Sequence, residues 1–236
     1  MPDQNPSQPG RRDFLRSAAL MAGAATLPAR AAAEPAADAP VAPVGYLSFS
    51  PDEAALVEAM VDVMCPADEL TPRGVDCGLA HFIDRQLAGA YGKGERLYLR
   101  GPFRPGRPED GYQLPLTPEQ FFKAGAQAAD AACLRRHQRR FAELTPEEGD
   151  PMLQAVADGR EDAAGFPLAE WFNELVYPLF VQACFADPIY GGNRDKVFWK
   201  MLGYPGLPAV NGLNMVKYRG KPFPGARQPK SIEDFS

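Results

Sequence analysis

Three times this sequence writes the same helix-opening phrase: Ser50-Pro51-Asp52-Glu53, Thr117-Pro118-Glu119-Gln120 and Thr145-Pro146-Glu147-Glu148. Each offers a hydroxyl to cap the first free N–H groups, a proline where its fixed φ suits a first turn, and an acid or amide that closes a capping box. The first phrase is followed by Leu56, Val57, Met60, Val61 and Met64 at helical spacing, and Pro66 stops that run. A second apolar face is Leu79, Phe82, Ile83 and Leu87. The Thr117 helix carries Phe121, Phe122, a run of alanines, Cys133 and Leu134. The Thr145 helix is expected to be interrupted or restarted at Pro151 and to end near Gly159. A last helix begins around Pro167 with Leu168, Trp171, Phe172, Leu175, Val176 and Leu179, and Pro178 is expected to kink it. No pair of strand signals occurs. The pattern predicts an all-α protein: a single domain of about five helices with long ordered loops, chiefly 89–115, and an extended C-terminal arm.

The N-terminal stretch reads as a targeting segment rather than as part of the fold. Arg11 and Arg12 precede the apolar pair Phe14 and Leu15, and a short uncharged run follows to Leu27, with small-x-small cleavage patterns at 29–33. This is the form of a twin-arginine leader over residues 1–33, and its apolar run is about half of the roughly 20 residues a membrane span needs. Twin-arginine export carries folded cargo, so the leader hints at a protein that gains a partner or cofactor before export. Residues 34–49, mostly Ala, Pro, Glu, Asp and Val, read as a linker. Without residues 1–33 the chain keeps 21 basic and 28 acidic side chains, a formal charge of −7, which argues against nucleic acid or anionic lipid as its partner.

The stretch 185–206 is different in kind. It gathers five aromatics, four glycines and two prolines in 22 residues, a composition for a rigid, shaped loop. Large rings beside Arg194 suit a recognition surface, and a corner of the chain's own core is the competing reading. Asp187, Tyr190, Gly191, Gly192, Asn193, Arg194, Trp199 and Tyr204 are the candidate partner-interface residues. Beyond this stretch, the proline-rich segment 209–236 has no periodicity and is expected either to wrap another surface or to be loose.

Catalytic apparatus is not legible. His81 and His137 stand outside any ligand motif, His81 reading as a surface or cap residue, and the adjacent acids Asp68/Glu69 and Glu147/Glu148 point apart on a helix. No nucleophile set, metal cluster or cofactor fingerprint is encoded, so no catalytic, cofactor-binding or metal residue is assigned. Four cysteines, Cys65, Cys77, Cys133 and Cys184, lack CxxC or CxxCH spacing, and their pairing, within the chain or to another subunit, is left open. The run Arg135 to Arg140, with four arginines, is either a solvated helix end or a docking patch for an acidic partner.

Several blocks together carry a family resemblance: Cys65-Pro66-Ala67-Asp68-Glu69-Leu70-Thr71-Pro72 with Gly78 and Phe82-Ile83-Asp84; Tyr98-Leu99-Arg100-Gly101-Pro102-Phe103; Gly111-Tyr112-Gln113; and Phe185 to Asp195 with Trp199 to Gly206. Over residues 50–208 the chain resembles the small, or gamma, subunit 3 of gluconate 2-dehydrogenase complexes. The resemblance implies a non-catalytic subunit beside an FAD-containing flavoprotein that oxidises the sugar or sugar acid, and beside a cytochrome c subunit that passes electrons into the cytoplasmic membrane. It also implies that the flavoprotein leaves the cytoplasm with this chain through the twin-arginine translocase, and that the complex works at the periplasmic face of the membrane. Related complexes oxidise glucose, sorbitol, fructose or 2-ketogluconate. Two other readings compete with it: a self-sufficient periplasmic enzyme, and a carbohydrate-binding module built on Trp171 and Trp199.

Overall fold

The computed structural model describes residues 45–104, 106–107, 110–161, 165–208 and 210–236. The leader and most of the linker lie outside the described residues. All three capping phrases open helices: α1 (Pro51–Met64), α3 (Pro118–His137) and α4 (Pro146–Ala157). In α1 and α3 the hydroxyl residue and the acid or amide three positions on close the box reciprocally, and in α4 the Glu148 carboxylate accepts from Thr145 N at 3.0 Å. α2 (Leu79–Ala88) starts instead after Gly78 in a left-handed conformation. The rod α5 is continuous in three pieces, a first turn at Leu168–Glu170, a wider π turn at Trp171–Val176 and an α-helix at Tyr177–Phe185.

The expected kink at Pro178 is replaced by that π turn. A proline removes one N–H from the ladder, and the wider turn just ahead of it takes up the register change so that the rod runs on to Phe185. Pro151 does not break α4 either. It is the sixth of the twelve helical residues, and its missing N–H releases only the Glu147 carbonyl.

Among the described residues there are seven helices, two more than the periodicity reveals. The additions are α6 (Val197–Leu202) and α7 (Gly212–Lys217), each of six residues and so too short to show a repeat. Among the described residues there is no strand, only an isolated parallel bridge between Gly206 and Lys230.

The core is built where the five longer helices meet. α1 packs on α2, α3 and α4; α2 lies along the second half of α5; and α3 crosses the π turn. Leu56, Met60, Leu79, Ile83, Leu87, Phe121, Phe122, Met152, Trp171, Leu175 and Leu179 are fully buried. Each such side chain contributes about 1.5–3 kcal/mol by leaving water. At the centre, the Trp171 indole donates to the Phe122 carbonyl at 3.1 Å. The ring fits only because α3 has Gly125 there: a Cβ at that position would stand 2.1 Å from the indole.

Two polar devices clamp the helices. Asp84, buried within α2, accepts the backbone N–H groups of Leu47, Ser48 and Phe49 at 2.7, 2.8 and 3.0 Å. This pins the start of the domain across the bundle, although residues 45–49 read as linker from composition. The cationic end of α3 stays at the surface but is paired. Arg136 pairs with Glu161, Arg139 with Glu148 at 2.5 Å and Arg140 with Asp52 at 2.8 Å, so the run braces α3 against α1 and α4. His81 is half-buried with its ring on Tyr46, centroids 4.8 Å apart, rather than at the surface.

Candidate functional site

Where α5 ends at Phe185 the chain makes a tight corner, and almost every polar group in it is used to hold its shape. Asp187 caps the turn Pro188–Tyr190, its Oδ1 accepting from Ile189 N at 3.1 Å. Gly192 is pressed against the end of α5: a Cβ there would lie 2.4 Å from the Ala183 carbonyl. Asn193, fully buried, donates through Nδ2 to the Ala186 carbonyl at 3.1 Å and accepts at Oδ1 from Phe198 N at 3.0 Å. Its amide therefore staples the end of α5 to the start of α6.

The backbone is strained in between. Asn193, Asp195 and Lys196 all have positive φ, at 45°, 56° and 58°. Asn and Asp tolerate this conformation better than Lys, and such strain persists only where surrounding contacts over-determine it. Arg194 supplies one such contact, its N–H meeting the Cys77 carbonyl and its Nη1 the Asp76 carbonyl, both at 3.0 Å. The exposed arginine thus ties the corner to the loop before α2.

Trp199 is 5 % exposed and its indole N–H donates to the Phe185 carbonyl at 2.8 Å, satisfying one of the free carbonyls at the end of α5. Tyr204 meets it edge-on at 5.2 Å, and Phe185 meets Phe198 in the same way at 5.9 Å.

The tail, expected to be loose or to wrap a foreign surface, first folds back onto this corner. Leu207 N donates to the Lys230 carbonyl at 2.8 Å and Lys230 N to the Pro205 carbonyl at 3.0 Å. Ile232 N donates to Asp187 Oδ2 at 2.9 Å, and Lys196 pairs with Asp234 at 2.5 Å. Lys196, together with the Ser231 N–H, holds the Asp234 carboxyl down at about 2.

Closing the tail onto the corner leaves an open apolar groove of about 500 Å³ between Phe185, Trp199, Leu202, Tyr204, Leu207 and Ile232, with Asp187 at its edge. The candidates divide accordingly. Asp187, Trp199 and Tyr204 line the groove, while Gly192 and Asn193 are buried scaffolding and Gly191 shapes the turn. Tyr190 is half-exposed beside it in sequence, and Arg194 points its guanidinium at the 76–77 loop. Leu202, Leu207 and Ile232 were missed. Ile232 has no local signal, because only the folded-back tail brings it there.

A second cleft, of about 590 Å³, opens beside the π turn between Phe103, Arg104, Gln113, Glu170 and Glu174. Burial and then the Glu170 carboxylate push the Glu174 carboxyl up, and its Oε2 has no hydrogen-bond partner among the described residues. The cysteines line neither opening. All four are buried free thiols, and burial pushes Cys77 up to about 11 and Cys133 and Cys184 to about 12, which keeps them protonated.

The family model for gluconate 2-dehydrogenase subunit 3 matches residues 51–206. The chain belongs to that family. The subunit 3 match opens on the first residue of α1 and closes on Gly206 at the neck of the tail, so it spans the helical body and the whole aromatic corner. Leu207 and Ile232, two walls of the groove, stand outside the subunit 3 match. No curated protein and no solved structure matches the chain.

Proposed function

We propose that this chain is the non-catalytic small subunit of a membrane-bound, FAD-dependent gluconate 2-dehydrogenase-type complex, and that it stabilises the flavoprotein and escorts it through twin-arginine export. The observation that carries the reading is the subunit 3 match across the body and the corner. The work assigned to the chain's own residues is mechanical. A hydrogen-bonded, strained corner presents Phe185, Trp199, Leu202 and Tyr204 in one arrangement, so a partner that covers them loses little further entropy in ordering them. The flavoprotein would hold the FAD and a cytochrome subunit the haem c. Arg11 and Arg12, in the leader, would address the assembled pair to the translocase, giving a periplasmic location at the outer face of the cytoplasmic membrane.

The family description supports gluconate as the substrate the complex oxidises, with glucose, sorbitol, fructose or 2-ketogluconate as the related alternatives. Reading the chain as a carbohydrate-binding module loses half its platform, because Trp171 is fully buried and offers no face to a sugar. Co-expressing the flavoprotein with and without this chain tests the proposal. Flavin content, solubility and periplasmic yield of the flavoprotein should all fall without it, and Arg11→Lys with Arg12→Lys should hold both proteins in the cytoplasm. A flavoprotein equally abundant, flavinated and exported in the absence of this chain would refute the escort role. Turnover of a sugar acid with a dye acceptor by the purified chain alone would refute the non-catalytic one.

A further inference from the structure

Between the groove and the C-terminus, residues 207–230 separate their charge from the rest of the chain. They contain Lys217, Arg219, Lys221, Arg227 and Lys230 and no acid, in a protein of formal charge −5. None of the five is ion-paired with a described residue, although the Lys217 ammonium lies 5.3 Å from the Tyr218 ring centroid. The same segment leaves Val210, Leu213, Met215 and Val216 at 83, 89, 74 and 78 % exposure. Single exposed aliphatic residues are ordinary, but four within seven positions, followed directly by unpaired cations, give a contact surface an apolar centre with a charged edge.

The segment is also held ready. The paired bonds between Pro205, Leu207 and Lys230 close its neck, and Tyr218 with Phe223, rings 5.1 Å apart, packs its interior. Leu207 at that neck is a wall of the apolar groove, so the two surfaces are continuous.

Building on the subunit reading, we infer that the loop 207–230 is the arm by which this chain grips its flavoprotein, inserting α7 into an apolar groove with an acidic rim on that subunit. A protein groove fits better than a lipid surface because α7 has no single apolar face. At about 100° per residue Leu213 and Val216 share one side while Met215 falls roughly 160° from Leu213. A plane can cover one side of such a helix, whereas a groove covers both. The cations would act at the rim, guiding encounter with an acidic surface.

The test uses the full chain assembled with its flavoprotein, comparing wild type with the charge reversal Lys217→Glu/Arg219→Glu/Lys221→Glu and with Leu213→Asp/Val216→Asp. All five side chains are exposed, so thermal unfolding of the chain alone should be unchanged. The reversal should slow association at least tenfold at low salt, with the gap closing as salt rises. The aspartate pair should speed dissociation at least tenfold. Affinity and rates unchanged in both variants would overturn the inference while leaving the subunit reading intact, and failure of the wild type to bind the flavoprotein would overturn both. Loss of binding to vesicles with about a third anionic lipid, while flavoprotein affinity stays at the wild-type level, would also overturn it and assign the arm to the membrane.

Discussion

The protein has two tryptophans, and each donates its indole N–H to a main-chain carbonyl of a helix, Trp171 to Phe122 at 3.1 Å and Trp199 to Phe185 at 2.8 Å. The surroundings of the two rings differ. Trp171 is enclosed by α3, α5 and the aromatic cluster around Phe122, with no exposed surface. Trp199 is buried from below and forms the floor of an open apolar groove from above. The same hydrogen-bonding device therefore serves stability in one place and presentation in the other. Around Trp171 nothing is left uncovered; around Trp199 the strain, the staples and the folded-back tail all go into holding apolar surface in water.

The largest loss of stability is expected from Gly125→Ala. In an exposed helix that change stabilises by about 1 kcal/mol. Here the new Cβ meets the enclosed Trp171 ring at 2.1 Å, and we expect a loss of about 3 kcal/mol or more in chemical denaturation. A neutral or stabilising result would mean that the centre of the body is loosely packed. Next is Asp84→Ala, which strands the N–H groups of Leu47, Ser48 and Phe49. We expect about 3 kcal/mol, since three hydrogen bonds are lost together, one of them from the buried Phe49 N–H and two from the part-buried Leu47 and Ser48 N–H groups. Asp84→Asn should lose less, because the amide oxygen still accepts.

Trp199→Ala should sharpen the contrast by dividing its effect. Stability should fall by about 2–4 kcal/mol from lost burial and packing. Trp199→Phe should cost about 1 kcal/mol, mainly the hydrogen bond to Phe185, yet both should weaken co-purification of the flavoprotein. Arg194→Ala should also loosen that association, by freeing the corner from the 76–77 loop. Trp171→Phe, in contrast, should lower stability without changing flavoprotein affinity in the folded fraction.

The smallest effect is on the tail latch. Asp234 is held down to about 2 by Lys196, so the pairing is complete above the ordinary carboxylate range near 4 and is lost as pH falls from there through about 2. Hydrogen exchange at Leu207 and Ile232 should accordingly be flat between pH 5 and 7, apart from the intrinsic rate, and Asp234→Asn should speed it at every pH in that window.

The helical body was legible because its signals are local. A capping phrase and a repeat of about 3.6 residues are complete within one turn or two, and α1, α3 and α4 begin where those phrases place them. Gly125 was not legible, since a mid-helix glycine among alanines shows its purpose only when a ring 46 positions away arrives against it. Asp84 was hidden for the same reason, its partners being 35 to 37 residues upstream. The corner could be recognised from its composition, yet its members could not be sorted. Whether a ring such as Trp199 faces in or out depends on α6, which is too short for periodicity, and on a tail whose Ile232 returns from 45 positions beyond Asp187. The arm could be set apart by its lack of periodicity, but an acidic total conceals its local cationic charge.

In the proposed assembly the partner covers the corner and the arm, and the bundle stands on its own. Hydrogen exchange of this chain, alone and assembled with the flavoprotein, measures that most directly. New protection is expected to concentrate in residues 185–208 and 210–230, with α1, α3 and α4 unchanged. Protection gained instead across α1, α3 and α4, with the corner and arm exchanging as they do in the free chain, would contradict it.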